Sequence, residues 1–180
     1  MTPFFQKKLI LLDVDHTLID WTNPKTLWDF RSEWKQKLIQ SNQTASLRGH
    51  RTSIEHICVQ TPQQKHIYLG DWVIEFVRHV QLHGWWVAIF SDFPQPLLMD
   101  WFDKLHLHHI AIGLHTGCLK PLPDGCYQLM SQLGVSGAQT FLIGDGLRTD
   151  SRAINTVGGH FIPIKAIRNK DLSELRAWIS

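Results

Sequence analysis

Five short apolar runs do most to limit what this chain can fold into. Residues 9–14, 87–90, 110–114, 141–143 and 161–164 are apolar nearly throughout and do not alternate with polar residues. A strand with one wet face alternates, whereas a strand covered on both faces reads as a continuous run, the signature of a parallel sheet between helices. The segments between the runs carry helical spacing. Val73, Phe76, Val77 and Val80 form one stripe before Gly84. Leu97, Leu98, Trp101, Phe102 and Leu105 form another after Pro94 and Pro96. Tyr127, Met130 and Leu133 precede Gly134, and Ala153, Ile154 and Val157 precede Gly158. Leu172, Leu175 and Ile179 suggest a last helix with Asp171 as its N-cap. Strand and helix in alternation predict an α/β architecture, a Rossmann-like doubly wound parallel sheet.

One connection is too long for that pattern. From His16 to Leu69 the chain runs far beyond the roughly dozen residues that a crossover with its helix requires. The surplus predicts a small helical cap over residues 19–69, inserted into a core of residues 1–18 and 70–180. Its first helix would begin at Asn23 and Pro24 and present Leu27, Phe30, Trp34 and Leu38 on one face. Residues 54–59 and 65–68 read equally as helix or strand.

The bulk properties exclude several classes. Of the 180 residues 43% are hydrophobic and 19% charged, enough for a buried core and unlike a disordered chain. Net charge is only +2, and the longest basic run is Lys7-Lys8, so no nucleic-acid polymer is expected as a partner. No apolar run approaches the length of a membrane span. The three cysteines, Cys58, Cys118 and Cys126, lack C-x-x-C spacing and suggest free thiols in a reducing compartment. Together these predict a cytoplasmic protein. His106, His108, His109 and His115 crowd together without metal-ligand spacing and read as solvated histidines.

In doubly wound folds the chemistry lies beyond the carboxyl ends of the strands. Asp13 and Asp15 follow the first run, Ser91 and Asp92 the second, Lys120 the third, and Asp145 the fourth, with Asp150 five residues later. Two carboxylates two residues apart on extended chain share a side and resist joint ionisation unless a cation is close. With Asp145 they suit a hard, oxygen-seeking ion, Mg2+ being the natural choice. Ser91 can hydrogen-bond a phosphate oxygen, and Lys120 can balance its charge. Taken singly, Ser91 reads as a turn residue, Lys120 as a surface lysine and Asp150 as a helix cap.

Taken in order, LLDVDHTLID, IFSDFP, CLKPLPDGCYQLMSQLGV and FLIGDGLRTDSRAINTVGG resemble the four motifs of the haloacid dehalogenase (HAD) superfamily of phosphohydrolases. The resemblance covers the chain outside the insertion, and the insertion's place resembles that of a small C1-type cap. It implies a phosphatase that hydrolyses a small phosphorylated substrate. Asp13 would be the nucleophile that forms an aspartyl-phosphate, and Asp15 the general acid/base. Thr17, Ser91, Asp92 and Lys120 would hold the phosphate, and Asp150 would support Lys120 or the metal shell. Mg2+ would be held by Asp13, Asp15 (through its backbone carbonyl) and Asp145. An aspartate at position 15 favours ester hydrolysis over halide displacement, because only an alkoxide leaving group needs a proton. A phosphomutase and a non-catalytic phospho-ligand sensor are the rival readings. His16 departs from the small or apolar residue usual after the second aspartate.

Overall fold

A computed structural model describes residues 7–21, 67–69, 71–93, 98–99, 103, 113–116 and 120–168. Five parallel strands form the main sheet: β1 (Leu9–Leu12), β4 (Trp86–Ser91), β5 (Gly113–Thr116), β6 (Thr140–Gly144) and β7 (His160–Pro163). Their order across the sheet is β5-β4-β1-β6-β7, with β1 central. The chain builds outward from β1 to β4 and β5, then crosses back to place β6 on the other side of β1. That reversal makes the gap between the carboxyl ends of β1 and β6 the topological switch point, the place where such sheets bind ligands.

Register explains why distant residues meet. Leu12 lies opposite Ile89 on one side and Ile143 on the other. The Asp13 amide donates to the Ile143 carbonyl at 2.9 Å, which carries the ladder one residue past β1. Asp13, Ser91 and Asp145 therefore leave the sheet at nearly the same level.

All four residues of β1 are buried, as a central two-sided strand requires. Leu9 and Leu11 pack with Ala88, Phe90 and Leu142 against Cys126, Leu129 and Met130 of α2 (Asp124–Leu133) and Ala153 and Ile154 of α3 (Asp150–Thr156). Ile10, Leu12, Val87 and Ile89 alternate with them and face the other way. Right-handed crossover assigns that side to α1 (Asp71–Leu82), which buries Phe76, Val77 and Val80. A short α4 (Ile164–Arg168) follows β7.

Several expected elements shift. The α2 stripe is Cys126, Leu129 and Met130, while Tyr127 is half exposed. Tyr127 had been counted with the core because its ring is apolar, but it falls on the wet side of the helical period. Gly134 ends α2 at φ 65, and the Val135 amide closes onto the Met130 carbonyl at 3.0 Å. Ile164, expected in the last strand, starts α4 because Pro163 ends the strand before it. β5 is described as Gly113–Thr116, which continues past the apolar run that suggested it, while residues 110–112 of that run lie outside the described residues. Asp150 does not cap α3; the N-cap is Thr149.

Of the insertion, two strands are described. β2 (Ile19–Trp21) and β3 (Ile67–Leu69) pair antiparallel, with Ile19 opposite Leu69 and Trp21 opposite Ile67. The predicted helix at residues 24–38 lies outside the described residues, as do the terminal helix at 172–179 and His106, His108 and His109. Of the expected helix at 97–105, Leu98, Met99 and Asp103 are described, and all three are helical. Among the described residues no helix is long and apolar enough to cross a membrane.

Candidate active site

Among the described residues, the buried polar and charged side chains are Thr140 and seven others: Asp13, Asp15, Thr17, Ser91, Asp92, Lys120 and Asp150. All seven stand at the carboxyl end of the sheet or follow it, and all seven were singled out from the sequence. Charged groups leave water only at a large cost, so their concentration in one place marks a site and not a packing accident.

Lys120 is the centre of this group. Its ammonium lies 2.5 Å from Asp13 Oδ1 and 2.8 Å from Asp150 Oδ1, and 4.9 Å from the centre of the Phe90 ring. Its backbone amide donates to Asp92 Oδ1 at 3.3 Å, tying the third strand-end loop to the second. Asp150 reaches the ammonium from the start of α3. Its other oxygen, Oδ2, accepts from the Gly146 amide at 2.9 Å. Asp150 thus fastens the loop bearing Asp145 to the lysine that holds Asp13.

That arrangement leaves no room at Gly144. A Cβ there would sit 2.4 Å from Asp150 Oδ2 and 2.8 Å from its Cγ. Gly144→Ala must push Asp150 away from Lys120 and from Gly146. It is expected to destabilise the fold by about 1–3 kcal/mol, as overpacking does, measured by urea unfolding. A change under about 0.5 kcal/mol would show that Asp150 is not held as described.

Oxygen atoms of Asp13, Asp145 and Asp150 all lie within 4.8 Å of one another, Asp145 exposed and the other two buried. This carboxylate group includes Asp150, which thus lies both beside Lys120 and among the oxygens that could hold a metal. Among the described residues, Asp13 and Asp150 share one ammonium, with Asp145 close to both of them. Burial drives the Asp13 pKa well above the ordinary carboxylate value, Lys120 pulls it down, and Asp150 and Asp15 push it up again. An excess of hard anionic oxygens of this kind fits a divalent cation such as Mg2+.

The chain turns tightly after Asp15. The amides of Thr17 and Leu18 both donate to the Val14 carbonyl, at 3.3 and 2.9 Å. His16 sits at the apex with φ 53, in the left-handed region. The Asp15 and Thr17 side chains are buried on either side, and among the described residues Thr17 Oγ1 has no hydrogen-bond partner. Ser91 Oγ accepts from the Phe93 amide at 3.1 Å, which bends the chain away after β4. Beneath the site, burial pushes the Cys126 thiol up to about 12 against the pull of Lys120, so this cysteine is an inert core residue.

No family model matches the chain, and no curated protein matches it in sequence. Solved structures do match it in shape. A HAD-superfamily hydrolase from Ehrlichia chaffeensis superposes with a TM-score of 0.63 at 14% identity, covering 97% of each chain. The fold is that of the HAD superfamily. A HAD phosphatase from Thermococcus onnurineus matches with a TM-score of 0.59 at 15% identity, over 89% of this chain and 96% of that one. CbbY from Rhodobacter sphaeroides, solved with phosphate, gives 0.64 at 16%, over 88% and 86%. The likeness thus extends over most of each chain and is not confined to the sheet.

Proposed function

We propose that this protein is a Mg2+-dependent phosphatase that hydrolyses a small phosphomonoester through an aspartyl-phosphate on Asp13. One observation carries the reading most directly. A buried carboxylate at the switch point of a HAD fold is held by a buried lysine, with Asp145 and Asp150 completing an anionic group around it.

In this reading the Asp13 carboxylate attacks phosphorus while the ester bond to the leaving oxygen breaks, and Asp15 gives that oxygen its proton. Asp15, now ionised, takes a proton from water as the water attacks the phosphoryl group. Inorganic phosphate leaves and Asp13 is restored. Lys120 holds Asp13 in its attacking position and offers charge to the phosphoryl oxygens. Thr17 and Ser91 supply hydroxyls, and the amides near Val14 and Asp92 supply N–H donors, for the same oxygens. Asp150 keeps Lys120 oriented. Asp13, Asp145 and the Asp15 carbonyl would hold Mg2+, with Asp150 close by. A bound Mg2+ supplies positive charge that lets a carboxylate and an anionic phosphate approach.

Residues 19–69 are, in the same reading, a C1-type cap whose roots are β2 and β3. The antiparallel pairing of Ile19–Trp21 with Ile67–Leu69 supports it, because it brings the two ends of the insertion together. Such a cap would exclude water and select the substrate.

The test is release of phosphate from p-nitrophenyl phosphate. Turnover on the order of 1 s⁻¹ or faster is expected with Mg2+. EDTA should abolish it and added Mg2+ restore it. A protein that binds phosphate but turns nothing over is a sensor. One that passes the phosphoryl group to an added sugar phosphate, and releases no inorganic phosphate without it, is a mutase.

A further inference from the structure

His16 is the one described non-glycine residue with positive φ, at 53°. Outside glycine this conformation is uncommon and costs roughly 1–2 kcal/mol, and it persists where the surroundings enforce it, often at functional sites. A glycine would make the same turn without cost, so the turn does not require the imidazole. The side chain is also far more exposed than those on either side of it. It is 36% exposed, whereas Asp15 and Thr17 are buried at 2% and 1%. Its Nε2 lies 3.9 Å from Asp15 Oδ1. The imidazole is therefore the solvent-facing neighbour of the carboxylate that, on the reading above, protonates the leaving oxygen.

We infer that His16 is a specificity-determining residue that donates a hydrogen bond to the leaving group of the phosphoester. The inference rests on the phosphatase reading and adds a substrate class to it. A group that takes its proton from Asp15 lies within reach of a ring a few ångströms away. Imidazole carries an N–H in either protonation state, so the contact needs no charge on His16. It favours leaving groups with an acceptor oxygen next to the ester oxygen, as in polyol, sugar or hydroxy-acid phosphates, over leaving groups without one.

The experiment compares two probes, glycerol 1-phosphate and phenyl phosphate, in the wild-type protein and in His16→Gly and His16→Asn. Both replacements accept left-handed backbone, so both should fold, which thermal melting checks. The readout is the ratio of kcat/KM for glycerol 1-phosphate to that for phenyl phosphate. One lost hydrogen bond should lower this ratio about tenfold in both variants, mainly through KM for glycerol 1-phosphate. An unchanged ratio overturns the inference, whether both activities persist or both fall together. If the wild-type protein turns over neither probe with Mg2+, the phosphatase reading fails and takes the inference with it. Turnover of either probe keeps the two failures apart.

Discussion

Asp13→Asn should remove at least about 10³-fold of the phosphate release and yet melt at a higher temperature than the wild-type protein when no metal is present. The two effects share a cause. Asparagine cannot attack phosphorus, so the covalent route closes. It does keep an oxygen for Lys120, and Asp150 still pairs with that ammonium at 2.8 Å. What disappears is a carboxylate whose pKa burial holds well above its ordinary 3.8. A raised folded pKa means that the fold prefers the protonated form. The stability associated with Asp13 is complete below about pH 3.8 and is lost as pH rises through the folded value. At pH 7.5 the buried carboxyl group therefore costs stability, and a neutral isostere recovers it. For a chain of this size each kcal/mol recovered is worth about 2–4 °C in Tm. The gain should shrink as the pH approaches 4. Mg2+ should raise Tm more in the wild-type protein than in the variant, because Asp13 is one of the oxygens the cation would satisfy. A variant that melts lower at pH 7.5, or that keeps wild-type turnover, contradicts this picture.

The same balance shows how much of the molecule could be read from its residues. The sheet was legible because β1, β4 and β6 are covered on both faces, and continuous burial leaves continuous apolar runs in the chain. The site was legible because parallel strands in register bring their carboxyl ends to one level. Residues that follow separate runs, such as Asp13 and Lys120, had to meet there. Contacts that depend on side-chain reach were not legible. Nothing in the spacing of Asp150 separates a helix cap from a tether, and only the fold shows its two oxygens on Lys120 and Gly146. Gly144 carries its signal in the absence of a side chain, which means nothing until the neighbour filling that space is known. Tyr127 was misplaced because its ring is apolar while its position on α2 faces water. The turn at His16 hid for a related reason, since histidine gives no warning of left-handed backbone as glycine would.

Lys120 is where the largest loss of stability should appear. Lys120→Met keeps the length and packing of the stem but removes the charge that both Asp13 and Asp150 face. Stripping one partner from a buried ion pair costs about 3–5 kcal/mol, because the remaining charge stays out of water. Two carboxylates would remain here, and Asp150 already raises the Asp13 pKa. Among the described residues Lys120 is what lowers the Asp13 pKa, so without it that pKa climbs further. The penalty should accordingly be largest at pH 7.5, smaller at pH 5, and should fade as Asp13 takes up a proton. Urea unfolding at the two pH values measures this directly. Activity should fall at least about 10²-fold at either pH, since the nucleophile loses the ammonium that orients it. Combining Lys120→Met with Asp13→Asn separates this mechanism from simple loss of packing. If charge is the cause, the double variant is more stable than Lys120→Met alone, a departure from additivity expected of groups in contact. If the losses add, or if Lys120→Met costs the same at pH 5 as at pH 7.5, the lysine is a packing residue and the carboxylates around it do not share its charge.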